Sequence, residues 1–279
     1  MLSRQALAPP IIGSNAAWRP FLTAFLFLVG SVSASAQTVV DLALVLAVDV
    51  SPSMEFDEQE LQRQGFIEAF RSTVVHNAVR KGAIGRIAVM YVEWADGSLQ
   101  EIVVPWTVIE HPADGFRFAA SLAGHAIRRG RHTSISSAID FGVRKLRDSR
   151  VHASCQVIDI SGDGVNNQGR TVTKARDEAI AQDITINGLP IMLKRPDPDG
   201  SGLESLDRYF RDCVVGGPGA FLIPVRKRSH FVEAIREKIV REVAGLPPFQ
   251  SLTQPAQDER SRCFHDPLLR RRVILLKLA

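Results

Sequence analysis

The feature that most constrains the fold of this chain is the nearly unbroken apolar run Val39–Val50, VVDLALVLAVDV. Such a run is typical of a central strand that is covered on both faces, because a strand with one face in water alternates polar and apolar residues. Apolar side chains at helical spacing follow across Glu58–Arg80, which predicts a helix. A buried strand followed directly by a helix indicates a sheet built from strand–helix units.

The same alternation continues along the chain. Further strands are predicted at residues 86–94, 101–107, 156–160, 184–193 and 220–225, and further helices at residues 116–127, 135–146, 171–182, 203–213 and 230–243. Asp96-Gly97-Ser98 joins the second strand to the third, and so short a connection predicts a hairpin. The predicted fold class is α/β: a doubly wound, mostly parallel sheet with one antiparallel edge strand and helices on both faces.

The first 36 residues have the pattern of a secretory signal peptide. Arg4 and Arg19 give a positively charged start, Phe21–Val32 is apolar, and Ala34-Ser35-Ala36 offers small residues for cleavage. The apolar stretch is shorter than the roughly 20 residues of a membrane span, so an uncleaved anchor is the weaker alternative. We therefore predict a signal peptide at residues 1–36 and export of the protein.

The remaining chain divides into a predicted domain at residues 37–246 and a tail at residues 247–279. The tail opens with Pro247-Pro248 and ends with Arg270-Arg271-Arg272 and a short apolar stretch. This pattern predicts a basic, disordered extension, and a membrane contact is conceivable only through its end. Between signal peptide and tail the chain holds 26 basic and 27 acidic residues, although the net charge of the whole is +4. A nearly neutral body argues against nucleic acid as a partner.

The three cysteines, Cys155, Cys213 and Cys263, allow one disulfide in an oxidising compartment and leave one thiol over. Cys155 enters the predicted strand at residues 156–160, which indicates a small buried thiol. The cysteines and histidines form neither a C-x-x-C nor an H-E-x-x-H pattern, so the sequence indicates no zinc or redox site.

Oxygen-bearing side chains follow the ends of two predicted strands and precede one helix. Asp49, Ser51 and Ser53 come where the first strand runs out. Asp163 follows the fourth strand, and Thr133 precedes a helix. Ligands of doubly wound sheets bind at the carboxyl ends of strands, so we expect these side chains to converge. Because Mg²⁺ prefers oxygen ligands, the sequence predicts a divalent metal site, with Mg²⁺ first and Mn²⁺ or Ca²⁺ as alternatives.

These residues resemble the metal-ion-dependent adhesion site (MIDAS) of von Willebrand factor A and integrin inserted domains. The resemblance rests on Asp49-x-Ser51-x-Ser53, on Thr133 and on Asp163-Gly164, and it covers residues 39–245. It implies a von Willebrand factor A-like, Rossmann-like fold with a metal bound directly by both serine hydroxyls and by Thr133 or one Asp. The remaining carboxylates would act through water, and an Asp or Glu of a protein or peptide partner would complete the coordination.

A narrower resemblance is to an uncharacterised family of exported bacterial von Willebrand factor A-like proteins. It is carried by four segments: Tyr91-Val-Glu93-Trp94, Ser161-Gly-Asp163-Gly-x-Asn166-Asn167, Ile186-Asn-Gly-Leu-Pro190 and Cys213-Val-Val-Gly-Gly-Pro-Gly-Ala-Phe221. This resemblance implies a periplasmic or secreted protein and supplies no known activity.

Two further charged features are expected near the predicted metal site: Glu93, at the end of a predicted strand, and the basic loop before Thr133. Glu93 ends a strand and is expected to pair with an arginine such as Arg131, the alternative being an extra carboxylate at the metal. The loop Arg128–His132 directly precedes Thr133. It would either attract an acidic partner or serve only as a solvated loop.

Asn166 and Asn167 follow the Asp163 loop. They either orient that loop through hydrogen bonds or act as turn formers beside the glycines. The sequence leaves these two roles open.

Three functions are compatible with this sequence. The one we favour is an exported, adhesion-type binding module, not an enzyme, that holds an acidic group of its partner through the metal. The second is a metal-assisted hydrolase, for which Glu93 is the only nearby carboxylate left to act as a general base. The third is a scaffold domain that binds no metal, and the complete motif argues against it.

Overall fold

The computed structural model describes residues 37–193 and 206–245. Five strands form one sheet: β1 (Thr38–Asp49), β2 (Ile87–Trp94), β3 (Gln100–Ile109), β4 (Val151–Gly162) and β5 (Ile184–Pro190). The helices are α1 (Phe56–Arg71), α2 (Thr73–Arg80), α3 (Pro112–Ala123), α4 (Ile135–Arg147), α5 (Val172–Ile180), α6 (Leu206–Tyr209) and α7 (Phe231–Ala244). A π-helical turn at Phe210–Val214 continues α6, and a 3₁₀ turn at Arg228–His230 precedes α7.

The strands are ordered β3-β2-β1-β4-β5, with β1 at the centre of the sheet. β1 runs parallel to β2 and to β4, β4 runs parallel to β5, and β3 is antiparallel to β2. In the predicted hairpin turn the N–H of Leu99 donates to the C=O of Asp96 at 3.3 Å. The sheet is therefore mostly parallel with one antiparallel edge strand, which confirms the predicted α/β class.

β1 is buried on both faces, as its apolar run predicts. Leu42, Leu44 and Leu46 belong to the core on the face covered by α1, α2, α3 and α7. Ala43 and Val45 belong to the core on the opposite face, which is covered by α4, α5 and the α6 segment. Helices on both faces leave the residues at the carboxyl ends of the strands to form the upper edge of the domain.

A buried ionic cluster joins α7 to the sheet. Nζ of Lys238 lies 2.7 Å from Oδ1 of Asp159 on β4 and also pairs with Glu242, one turn further along α7. Nδ2 of Asn187 on β5 donates to Oε1 of Glu242 at 3.3 Å. Burial raises the pKa of Glu242 to about 7. Two acids thus share one lysine inside the protein, and the cluster depends on that lysine.

The predicted helix across residues 58–80 is two helices in the structure. Ser72 has extended backbone geometry, and its Oγ accepts a hydrogen bond from the N–H of Val74 at 3.2 Å. A serine in this conformation caps a new helix, so the chain changes direction there. The segment at residues 220–225 was predicted as a strand but forms only isolated bridges, at Leu222 and Val225.

Cys155 is an exposed, free thiol, which corrects the predicted buried one. It lies in the amino-terminal half of β4, where most side chains reach solvent, and continuous burial begins only at Val157. Cys263 and the predicted signal peptide and tail lie outside the described residues. No helix in the described part of the chain is long and apolar enough to cross a membrane.

Candidate metal centre

The predicted metal-binding side chains lie at the carboxyl edge of the sheet. Asp49 is the last residue of β1, and Asp163 directly follows β4. Because these two strands are parallel neighbours, their carboxyl ends meet at the same edge. Ser51 and Ser53 lie in the turn between β1 and α1. Four of the five predicted residues therefore come from two adjacent strand ends.

Hydrogen bonds and close contacts join these side chains into one cluster. Oγ of Ser51 lies 2.8 Å from Oγ of Ser53, which donates to Oδ1 of Asp163 at 2.5 Å. Thr133 arrives from the loop before α4. A β-carbon at Gly164 would lie 3.7 Å from Oγ1 of Thr133 and 3.8 Å from Oγ of Ser53, so both hydroxyls face the same small space.

Asp49 is fully buried and only partly satisfied. Its Oδ1 accepts a hydrogen bond from the N–H of Ser51 at 2.7 Å, whereas its Oδ2 has no hydrogen-bond partner among the described residues. Burial, and then the negative charge of Asp163, raises the pKa of Asp49 from 3.8 to about 7. Because a buried carboxylate oxygen without a partner is costly, a cation beside it would remove that cost.

The donor set fits a hard divalent cation. Carboxylate and hydroxyl oxygens are ligands that Mg²⁺ accepts, and such sites usually retain water molecules as well. Within residues 37–193 and 206–245, no three His, Cys, Asp or Glu side chains gather as a metal site. A cation bound here would therefore rely on the hydroxyls of Ser51, Ser53 and Thr133 in addition to the two carboxylates.

Two asparagines hold the Thr133 segment in place. Oδ1 of Asn167 accepts from the N–H of Thr133 at 2.9 Å, and the N–H of Asn167 donates to the C=O of Thr133 at 2.9 Å. Oδ1 of Asn166 accepts from the N–H of Ser136 at 3.0 Å, in the first turn of α4. Both side chains thus link the loop after β4 to the start of α4 or to the loop before it. Of the two roles left open by the sequence, they orient a neighbouring loop through hydrogen bonds and do not act only as turn formers.

Glu93 pairs with Arg63 of α1, not with Arg131. The pair is buried, with Glu93 1% and Arg63 6% exposed, and burial raises the pKa of Glu93 above its ordinary value despite the arginine. The second oxygen of Glu93 accepts from the N–H of Arg128 at 3.5 Å. The N–H of Arg131 instead donates to Oδ2 of Asp96 at 3.3 Å. An arginine partner was predicted correctly, but Arg131 was the wrong choice, because spacing along the chain does not show that α1 packs Arg63 against Glu93.

A polar face of α1 lies beneath the cluster and was missed by sequence reasoning. Nε2 of Gln62 donates to Oγ of Ser161 at 2.6 Å, and Nε2 of Gln59 donates to the C=O of Ser51 at 3.4 Å. Polar residues of a helix normally face water, so these were not recognised. The available signal is their spacing: Gln59, Gln62 and Arg63 follow the i, i+3, i+4 pattern of a helix face turned inward.

Because residue 162 is a glycine, the side chain of Asp49 can occupy the space beside it. A β-carbon at Gly162 would lie 2.8 Å from Oδ2 and 3.3 Å from Cβ of Asp49, so an alanine there must displace the carboxylate. If Mg²⁺ raises the melting temperature of the wild type, we expect Gly162→Ala to abolish that rise. Gly97→Ala is the matched control at the same edge, since its β-carbon would meet nothing closer than 3.6 Å. A full Mg²⁺ response in Gly162→Ala would contradict the role given to Asp49.

Comparison with protein families gives a match over most of the chain. A family model described as "Protein of unknown function (DUF1194)" matches residues 39–247. The comparison with curated proteins finds no match.

Solved structures with the same fold include two pilus proteins and a protein of the mussel byssus. The pilus adhesin SpaC from Lactobacillus rhamnosus GG superposes with a TM-score of 0.55 at 13% identity, over 75% of this chain and 30% of SpaC. Proximal thread matrix protein 1 of the mussel byssus, "with zinc occupied MIDAS motif", gives 0.51 at 12% identity, over 75% and 49%. The von Willebrand factor domain of the type V pili tip protein Mfa5 from Porphyromonas gingivalis gives 0.50 at 9% identity, over 76% and 98%.

This chain thus spans half or less of the SpaC and mussel proteins that it matches. At such identities the likeness concerns the fold, and it confirms the predicted von Willebrand factor A-like architecture.

Proposed function

The chain belongs to the family described as "Protein of unknown function (DUF1194)", and we propose that its domain is an exported, adhesion-type binding module. It would bind an acidic group of a protein or peptide partner through a divalent cation at the carboxyl edge of the sheet. The observation that carries this proposal is the cluster around Asp49, whose buried Oδ2 has no partner among the described residues. The same carboxylate accepts a hydrogen bond from Ser51 through its Oδ1 and lies close enough to Asp163 for that negative charge to raise its pKa.

Five side chains would hold the cation: Asp49, Ser51, Ser53, Thr133 and Asp163. The cation, with Mg²⁺ as the first choice, supplies an electrophilic centre that an incoming carboxylate can bind. Two carboxylates balance a charge of +2, and the hydroxyls add no charge. Asn167 keeps Thr133 in position through its paired hydrogen bonds.

Solved structures of the same fold support both parts of this proposal, the metal site and the adhesive role. One relative in fold carries zinc in its MIDAS motif, and two others are a pilus adhesin and a pilus tip protein. A surface or envelope location also agrees with the predicted signal peptide at residues 1–36. We therefore propose a periplasmic or secreted protein with a protein or peptide as its partner.

The environment of Glu93 favours binding over hydrolysis. A general base must reach the water that it activates. Glu93 is 1% exposed, and its two oxygens accept hydrogen bonds from Arg63 and from the backbone of Arg128. With its carboxylate engaged inside the protein, it is poorly placed to serve a reaction at the edge of the sheet.

Thermal melting tests the metal site. We expect Mg²⁺ or Mn²⁺ at about 100 times its Kd to stabilise the purified protein by about 2.7 kcal/mol, a rise of roughly 5–10 °C in Tm. Ser51→Ala should remove the rise, whereas Ser121→Ala, an exposed serine of α3, should keep it. An unchanged wild-type melting curve with either ion would refute the proposal.

Capture of envelope proteins with and without chelator then tests adhesion, with Thr133→Ala as the variant that should lose capture.

A further inference from the structure

The basic loop Arg128–His132 is fastened to the proposed metal centre. The N–H of Gly130 donates to the C=O of Val50 at 3.1 Å, and Val50 lies between Asp49 and Ser51 in the chain. A β-carbon at Gly130 would lie 2.1 Å from Cβ of Ala95, so no side chain fits there. The middle of the loop is therefore pressed against the edge of the sheet, and the charged residues on either side of Gly130 are held close to the cluster.

The arginine side chains of this loop remain available to a partner. Arg128, Arg129, Arg131 and His132 are all exposed. Nη2 of Arg129 donates to the C=O of Met54 at 3.0 Å, one residue beyond Ser53. Within the described part of the chain no carboxylate pairs with Arg129 or Arg131, while Arg128 lies 3.5 Å from Glu101.

The acidic groups at the same edge are already engaged. Arg228 contacts Asp57 and also lies 3.6 Å from Glu55 and 3.7 Å from Glu58. Its hydrogen bond lowers the pKa of Asp57. Oδ1 of Asp96 accepts hydrogen bonds from the turn that follows it. Since a divalent cation would balance Asp49 and Asp163, these two carboxylates would not offset the positive charge of the loop beside them.

Two exposed apolar side chains near the cluster in the chain offer contacts to a polypeptide partner. Phe56, 52% exposed, lies three residues after Ser53, and Val165, 38% exposed, lies two residues after Asp163. Large apolar side chains at the margin of a polar site gain from contact with other side chains, which a small inorganic anion does not offer.

We propose that Arg129 and Arg131 form a second carboxylate-binding subsite beside the metal, so that the partner is an acidic peptide segment bound at two points. One carboxylate of the segment binds the cation, and a second, a few residues away, pairs with the guanidinium groups. This inference rests on the proposed function, because it requires the cation at the first point. Guanidinium groups suit the second point because they bind carboxylates through two parallel hydrogen bonds.

The test measures binding of a fluorescent hexaglutamate peptide to the full chain in Mg²⁺ by anisotropy. We expect Arg129→Gln/Arg131→Gln to weaken the peptide about tenfold and to leave the Kd for Mg²⁺ unchanged. Arg131→Gln alone should weaken it about threefold. Arg131 is the cleaner of the two positions because its hydrogen bond to Asp96 uses the backbone N–H, which the substitution keeps. The difference between wild type and variants should shrink as salt is raised.

A matched control and a second ligand complete the design. Arg80→Gln/Lys81→Gln removes the same charge from exposed residues near Gly82, which contacts Asp41 at the opposite end of β1, and should bind the peptide as wild type does. N-acetylglutamate amide carries one carboxylate, so its weaker binding should not differ between wild type and the loop variants.

The outcomes separate the two levels of the proposal. If wild type responds to Mg²⁺ but the loop variants bind hexaglutamate as tightly as wild type, the second subsite is refuted and the metal site stands. Equal binding of hexaglutamate in chelator would also refute binding at two points. If wild type shows no response to Mg²⁺ at all, the proposed function itself fails.

Discussion

An Asp49→Asn variant is expected to be more stable than the wild type at pH 8 without metal, and to gain no stability from Mg²⁺. The carboxylate of Asp49 is fully buried next to Asp163, and its pKa rises from 3.8 to about 7. A shift of this size corresponds to a cost of up to about 4 kcal/mol for carrying the charge above pH 7. Asparagine keeps the shape of the side chain and removes the charge, so the variant loses both the cost and the ligand.

The pH dependence gives the same prediction a second readout. Because the pKa of Asp49 is raised on folding, the folded state holds a proton that the unfolded state releases between pH 4 and pH 7. The wild type without metal should therefore lose stability as the pH rises from about 4 to about 7, and Asp49→Asn should lose less over that range. Chemical unfolding at a series of pH values measures this difference. Asp148→Asn, an exposed residue, is the control and should follow the wild type. A variant that still melts higher with Mg²⁺ would contradict the assignment of Asp49.

Lys238→Met is expected to destabilise the protein by about 3–5 kcal/mol, because it leaves two buried acids without their cation. Asp159 and Glu242 are 1% and 7% exposed, and Lys238 pairs with both. Urea unfolding at pH 8 measures the loss. Lys174→Met, which removes an exposed lysine of α5, should cost far less.

A rescue experiment separates lost charge pairing from lost packing. Adding Asp159→Asn and Glu242→Gln to Lys238→Met removes the unpaired charges and should restore most of the stability, because replacing a whole buried ionic group is often nearly neutral. If the triple variant is as unstable as Lys238→Met, the defect comes from packing of α7 and not from the stranded acids.

The parts of the fold that local patterns encode were predictable. The run Val39–Val50 predicts a strand buried on both faces, and β1 is such a strand. The positions of Asp49 and Asp163 after two parallel strands predict that they meet, because strand direction fixes which ends lie together. The break at Ser72 escaped this reasoning, since the apolar spacing continues through it and a single capping hydroxyl begins the next helix. The predicted strand at residues 220–225 also failed, because that segment forms only isolated bridges.

The parts that depend on long-range partners were not predictable. The sequence shows Glu93 as an acid at the end of an apolar strand, but it does not show which arginine pairs with it. That arginine, Arg63, lies on α1 and reaches Glu93 only because α1 packs on β2. Lys238 and Glu242 have the spacing of an ordinary surface pair on a helix. In the structure they are buried, and Lys238 pairs with Asp159 on β4. The sequence shows Asp159 only as one acid within an apolar strand. Buried charges of this kind depend on three elements at once, and no single segment reveals them.

The central position of β1 has a mechanical consequence. β1 begins at Thr38 and delivers Asp49 at its other end, and it pairs with β4 from Thr38 to Val48 and with β2 from Leu42 to Asp49. A partner pulling on the cation while the domain is held at the start of β1 would apply tension along this strand. The ladder bonds on both of its sides run across that direction, so they would be loaded together in shear and not opened one after another. The metal would thus sit on the strand of the sheet best able to carry a load.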